Sequence, residues 1–96
     1  MTAMVTVEAT PEARGWRCAV EVAESGGTGG TSSRHAVRVG APDLERWGRP
    51  GETPEQLVGR AFEFLLAREP ASQILRSFEL ADISRYFPEF EREIRS

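Results

Sequence analysis

The amino-acid sequence predicts an α+β fold: a three-stranded antiparallel sheet, arranged as a meander, with helices packed on one face in a two-layer sandwich. Residues 4–40 contain three runs in which apolar and polar residues alternate, the pattern of strands with one solvated face. Residues 53–68 repeat apolar residues at steps of one, three and four, the pattern of an amphipathic helix. We expect one domain over residues 1–96, with the β meander at 4–40 and a helical half at 42–95.

The three predicted strands cover residues 4–10, 16–24 and 34–40. A turn at 11–15 joins the first two strands, and a segment of Gly, Ser and Thr at 25–33 predicts a flexible connector before the third. The resemblance of its glycines to a phosphate-binding loop is superficial, because a P-loop needs a lysine and this chain has none. The apolar side of the strands carries Val5, Val7, Ala9, Trp16, Cys18, Val20, Val22, His35, Val37 and Val39.

The long helix has a complete start signal. Thr53 is an N-cap residue, Pro54 suits the first helical position, and Gln56 can close a capping box with Thr53. Pro70 ends the helix, because the residue before a proline avoids helical geometry.

Shorter helical segments are predicted on both sides of the long helix. A helical turn at 42–47 ends at Gly48, and a last helix opens at Pro88 with Phe90 and Ile94 on one side. Leu80, Ile83 and Phe87 also share the face of a helix. The tail is too apolar to be disordered, so its aromatic residues either cover the core or contact a partner.

Composition excludes several classes of function. The chain has 96 residues, of which 40% are apolar and 28% charged, typical of a soluble domain. No apolar run approaches the roughly 18 residues of a membrane span, the N-terminus lacks signal-peptide features, and a single cysteine cannot form an internal disulfide. We therefore expect a cytoplasmic protein. Residues 1–50 hold six Arg and six acids, and residues 51–96 hold six Arg and nine acids, so no basic region marks a nucleic-acid binder.

The residues that favour catalysis are few. His35 is the only histidine and Cys18 the only cysteine, and both fall on the apolar side of their strands. Together with Trp16 they define a possible pocket between sheet and helices, suited to a small ligand or a small active site. No carboxylate or second thiol is tied to them by spacing, so the sequence predicts no catalytic residue, metal site or cofactor. Alternating Glu89, Glu91 and Glu93 indicate a solvated face.

Other residues favour contacts with proteins. Trp47, between Arg46 and Arg49, is either an interface anchor or a lid that packs with Leu44. Tyr86 and Phe90 in the tail are further candidate contact residues. On the open side of the sheet lie three arginines that suit RNA or an acidic protein, although pairing with Glu8 and Glu21 is the simpler interpretation: Arg17, Arg34 and Arg38.

Two resemblances accompany these patterns. Residues 62–70 (FEFLLAREP), followed by Ile74, Leu75, Phe78, Leu80, Ile83 and residues 86–90 (YFPEF), resemble a pattern in small uncharacterised bacterial and archaeal proteins, which implies no activity. The order of three strands and a helix, opened by residues 51–57 (GETPEQL), resembles HicB-type antitoxin domains over residues 4–68. The linking segments are longer here, and no DNA-binding region follows.

Two functions remain open. The first is a non-enzymatic protein-interaction or regulatory module that binds a protein partner or a second copy of itself through a sheet edge or the aromatic tail. The second is a small-molecule-binding protein or small enzyme with its pocket near His35 and Cys18. A closed polar pocket around His35 favours the second; a solid core and an exposed apolar patch favour the first.

Overall fold

The computed structural model describes residues 2–25 and 30–95. Three long strands form the predicted antiparallel meander, and a short fourth strand adds in parallel to the third. The sheet order is β1-β2-β3-β4, with β1 at Thr2–Glu12, β2 at Gly15–Ser25, β3 at Gly30–Gly40 and β4 at Ser77–Glu79. The fold is thus α+β, but the expectation of three strands, all antiparallel, is corrected to a mixed sheet of four.

The predicted connector at 25–33 is shorter than expected. Ser25 still pairs with Gly30, and residues 31–33 continue as strand, so Ser and Thr here extend β3. Residues 26–29 lie outside the described part of the chain. A run of Gly, Ser and Thr indicates a loop only where no neighbouring strand supplies hydrogen bonds, and here β2 supplies them.

The turn between β1 and β2 also fixes the start of the first helix. Ala13 and Arg14 form the turn, and Arg14 takes the left-handed backbone conformation (φ 64°). The carbonyl of Arg14 accepts a hydrogen bond from the N–H of Ala41 at 2.9 Å. The backbone of Gly15 lies so close to β3 that a Cβ there would be 2.1 Å from the carbonyl oxygen of Val39. The hairpin end therefore accepts only glycine at this position.

The helices follow the predicted start signals closely. Their bounds are α1 at Ala41–Trp47, α2 at Pro54–Leu66, α3 at Ile83–Tyr86 and α4 at Phe90–Ile94, with 3-10 turns at Ala71–Gln73 and Leu80–Asp82. At the start of α2 the Thr53 hydroxyl accepts from the N–H of Gln56 (3.2 Å), and the Gln56 side chain accepts from the N–H of Thr53 (3.0 Å). The capping box is confirmed. The helix ends before the predicted limit, with a turn at residues 67–68.

The core lies between the apolar face of the sheet and the helices. Strands β2 and β3 contribute buried residues at every second position, as the alternation predicts, while Val5, Val7 and Ala9 of β1 are only half-buried. Helix α2 buries Leu57, Val58, Ala61, Phe62, Phe64 and Leu65. The chain after α2 adds Ala71, Ile74, Leu80, Ile83, Phe90 and Ile94. Among the described residues, no helix combines the length and the apolar character needed to span a membrane.

Gly59 provides a test of the helix assignment. It lies in the interior of α2, and a Cβ added there would meet nothing within 4 Å. We expect Gly59→Ala to raise the free energy of unfolding by about 0.5–1 kcal/mol, because alanine loses less backbone entropy in a helix. Denaturant unfolding followed by circular dichroism measures the change. Gly15→Ala is the control of opposite sign, and equal effects of the two changes would contradict this arrangement.

Candidate functional site

His35 is buried and both nitrogens of its ring are engaged. The side chain is 5% exposed and packs against Phe62, with 5.3 Å between the ring centroids. Its Nδ1 donates to the carbonyl of Leu75 at 2.8 Å, since a carbonyl can only accept, and its Nε2 lies 2.9 Å from the hydroxyl of Ser33. His35 therefore connects β3 to the segment before β4. A substrate proton would find neither nitrogen free.

Cys18 and Trp16 do not form an open pocket with His35. The register places Val20 opposite His35 and Val37 opposite Cys18, so the thiol and imidazole share one face of neighbouring strands. Cys18 is fully buried, and Trp16 is half-buried against the core. Burial, with a smaller contribution from the charge of Glu55, raises the pKa of the Cys18 thiol to about 11. The thiol is therefore protonated at neutral pH and is a poor nucleophile.

Trp47 and Phe90 belong to the core and present no ring to a partner. Trp47 is 2% exposed and Phe90 is fully buried, and their rings pack edge to face with centroids 5.4 Å apart. Arg46 lies over the Trp47 ring at 5.2 Å and forms an ion pair with Glu91. The prediction of Trp47 and Phe90 as surface contacts is corrected, because α4 folds back onto α1 and covers both. The indole Nε1 of Trp47 has no hydrogen-bond partner among the described residues.

The residues that fix this arrangement include an ion pair with little exposure. Arg60 of α2 donates from Nε and Nη2 to the two carboxylate oxygens of Glu52 at 2.7 and 2.6 Å. The same guanidinium donates to the carbonyls of Trp47 and Ile94, the last residues of α1 and α4. The hydrogen bond from Arg60 lowers the pKa of Glu52, against the opposing effect of burial. The backbone N–H of Arg49 also donates to Glu52, at 3.0 Å, so Arg49 lies beside this cluster.

A second arginine holds the tail on α2. The guanidinium of Arg68 lies 3.6 Å from the centroid of the Phe64 ring and donates to Glu89 at 3.2 Å and Glu93 at 2.9 Å. With Glu91 bound to Arg46, the three alternating glutamates contact arginines of other elements. The prediction of a merely solvated acidic face is therefore incomplete.

The open face of the sheet is paired internally. Arg34 lies 3.4 Å from Glu21, as predicted, whereas Arg17 and Arg38 both reach Glu12, at 3.5 and 3.4 Å. Glu12 thus takes the place expected for Glu8. Each of the three arginines has a carboxylate within ion-pair distance, so the face presents no strong positive charge.

An exposed apolar groove lies between the end of α2 and the chain that follows it. Its volume is about 300 Å³. Leu75 is 54% exposed and Tyr86 69% exposed, and both line the groove. The apolar lining consists of Leu65, Ile74, Leu75, Phe78, Ile83, Tyr86 and Phe87, and the polar residues at the groove are Glu69, Gln73 and Asp82. The predicted candidate Tyr86 is therefore a surface residue, in contrast to Trp47 and Phe90.

The two acids of the groove differ in what they contact. Asp82 accepts a hydrogen bond from the N–H of Glu79 at 3.1 Å and lies 3.7 Å from Arg85. The carboxylate of Glu69 has no partner among the described residues. The groove therefore offers one unneutralised negative charge beside its apolar lining.

The groove has a rigid wall. The bond from His35 to the Leu75 carbonyl is followed by one from the N–H of Ala36 to the Arg76 carbonyl at 2.7 Å. Both attach the groove segment to β3. Sequence reasoning noted the pair Ile74 and Leu75 but did not assign it a role. Two adjacent apolar residues after a turn are a usable signal, because only one of them can point inward: Ile74 is buried and Leu75 is exposed.

Metal binding and similarity to known proteins give no further assignment. Within residues 2–25 and 30–95, no group of three or more His, Cys, Asp or Glu side chains is placed to hold a metal ion. Comparison with protein-family models, with curated proteins and with solved structures finds no match to this chain. The resemblances to the small bacterial and archaeal proteins and to HicB-type domains therefore stay predictions.

The Glu52–Arg60 pair predicts a specific pH dependence. Because the pKa of Glu52 is lowered by folding, its contribution to stability is present above the unfolded pKa, about 4.3, and is lost as the pH falls through the folded value. We expect the free energy of unfolding to fall less steeply below about pH 4.3 in Glu52→Gln than in the wild type. Urea titrations at several pH values measure this slope. In an Arg60→Gln background the same change should lose its effect on the slope; an unchanged effect would assign it to another group.

Proposed function

We propose that this protein is a non-enzymatic interaction module whose apolar groove receives a segment of a partner protein that carries apolar side chains beside a Lys or Arg. The observation that carries the proposal is the joint exposure of Leu75 and Tyr86 at one groove. Large apolar side chains grouped in a concave surface are typical of partner-binding sites, whereas single exposed ones are ordinary.

The shape of the groove suits side chains of a partner segment. A volume of about 300 Å³ is at the lower end of the range for ligand pockets. It accommodates the apolar face of an amphipathic helix, which anchors itself through residues spaced three and four apart. Tyr86 adds a rigid ring with a polar tip, the type of side chain that frequently dominates the energy of an interface.

Charge selects among apolar partners. Glu69 carries an unpaired carboxylate at the groove, and the chain as a whole has a net charge of −3. A partner with a Lys or Arg next to its apolar residues gains an ion pair there and is steered toward the site during encounter. An acidic partner segment is disfavoured by the same charge.

The groove is also held in place before a partner arrives. His35 and Ala36 bond the carbonyls of Leu75 and Arg76 to the sheet, and Leu65 forms part of the wall from the buried side of α2. A preformed site loses less conformational entropy on binding. The enzymatic alternative has less support, because His35 uses both ring nitrogens in structural bonds and the Cys18 thiol is protonated.

The proposal predicts which peptides the protein selects. When the full chain is panned against a random peptide display library, we expect enrichment of peptides with apolar residues at helical spacing beside Lys or Arg. Tyr86→Ala should weaken binding of an enriched peptide by about 2 kcal/mol, roughly thirty-fold, as measured by isothermal titration calorimetry. Glu69→Gln should reduce the preference for basic residues while apolar selection persists.

Met4 provides a matched control. Its side chain is 69% exposed, like that of Tyr86, but lies on β1 and does not line the groove. Met4→Ala should leave the affinity for the enriched peptide unchanged. Panning that selects no common pattern, or equal effects of the Met4 and Tyr86 changes, would refute the groove as the binding site.

A further inference from the structure

Strand β1 leaves a long edge of the sheet unpaired. It spans eleven residues, Thr2–Glu12, and β2 is its pairing partner on one side. Among the described residues no strand pairs with its other side. A free edge of this length carries backbone N–H and C=O groups that can pair with another strand.

The hairpin geometry identifies which residues carry these free groups. Glu12 and Gly15 close a two-residue turn, and the closing pair of such a hairpin exchanges two hydrogen bonds. Counting back from Glu12, every second residue bonds to β2, so the intervening ones direct their backbone groups outward: Ala3, Val5, Val7, Ala9 and Pro11. Pro11 supports this assignment, because a proline in a sheet has its missing N–H on the free side of an edge strand.

The side chains along this edge are also incompletely covered. Val5, Val7 and Ala9 face the core, yet they are only half-buried, whereas their cross-strand neighbours Val22, Val20 and Cys18 are buried. On the other face, Met4 is one of the exposed large apolar residues. The edge therefore combines free hydrogen-bonding groups with apolar surface on both faces.

We propose that two copies of this chain pair along β1 in antiparallel orientation, with Val5 of each copy opposite Val7 of the other, to form one continuous sheet. In this register Ala3, Val5, Val7 and Ala9 meet one another, and each residue has both an N–H and a C=O to exchange. The half-buried valines cover each other across the two-fold axis. Thr6 lies on the axis opposite its own copy.

Proline and charge favour this register over its neighbours. A shift that places Val7 opposite itself puts Ala3 opposite Pro11, and the carbonyl of Ala3 then has no donor. A shift that places Glu8 opposite itself brings two carboxylates together, which destabilises a strand pair. In the proposed register Glu8 lies opposite Met4, so the exposed methionine is covered by the aliphatic part of the glutamate and no like charges meet.

Sedimentation equilibrium tests the pairing. We expect the wild-type chain to have twice its monomer mass of 10.6 kDa. Val7→Pro should give a folded monomer, because it removes an outward N–H and no bond to β2, while the matched control Val7→Ala keeps that N–H and should still form dimers. A wild-type monomer, or a folded Val7→Pro variant that remains dimeric, would overturn the proposal.

Disulfide formation tests the register separately. Thr6→Cys should form an intermolecular disulfide on mild oxidation, because opposite residues of a pair without hydrogen bonds have the closest side chains. The native Cys18 does not interfere, since it is fully buried. Glu8→Cys alone should not form the disulfide, whereas a mixture of Glu8→Cys and Met4→Cys chains should. Failure of Thr6→Cys in a dimeric sample would refute this register.

Discussion

The ion pair between Arg60 and Glu52 is the interaction on which the helical layer depends. Its side chains are 18% and 8% exposed, so the charges are largely removed from water and need partners. Arg60 meets that need with two bonds to Glu52 and one each to the ends of α1 and α4. Because removal of one member of such a pair costs about 3–5 kcal/mol, the three helices keep their positions together. The Trp47–Phe90 packing follows from this arrangement.

The fixed tail is also what creates the groove. With α4 held by Arg60 and Arg68, and β4 held beside β3, the chain between α2 and α3 must cross the surface with apolar residues on both sides. Ile74 points inward, and Leu75 is left outside. His35 completes the wall from the sheet. The only histidine of the chain thus has a structural task that supports a binding surface, and this task leaves no nitrogen for catalysis.

The two proposed surfaces are independent of each other. The groove is formed by α2 and the chain after it, whereas the free edge belongs to β1 at the opposite end of the sheet order. A dimer formed through β1 would therefore carry two grooves, and both would stay open to partners. Paired sites raise the strength with which a protein holds a partner that presents two copies of the binding segment.

The sequence by itself determined the elements whose signals are local. The alternation of residues in β1 to β3 and the capping box of α2 depend on neighbours a few positions away, so pattern alone predicted them. Tertiary structure decided β4, which has three residues and exists only through its bonds to Ala36–Arg38. It also decided that Trp47 and Phe90 are core while Tyr86 is surface, because their burial depends on how α4 crosses α1. Patterns in the chain show that a residue is apolar; only packing between distant segments determines whether another segment covers it.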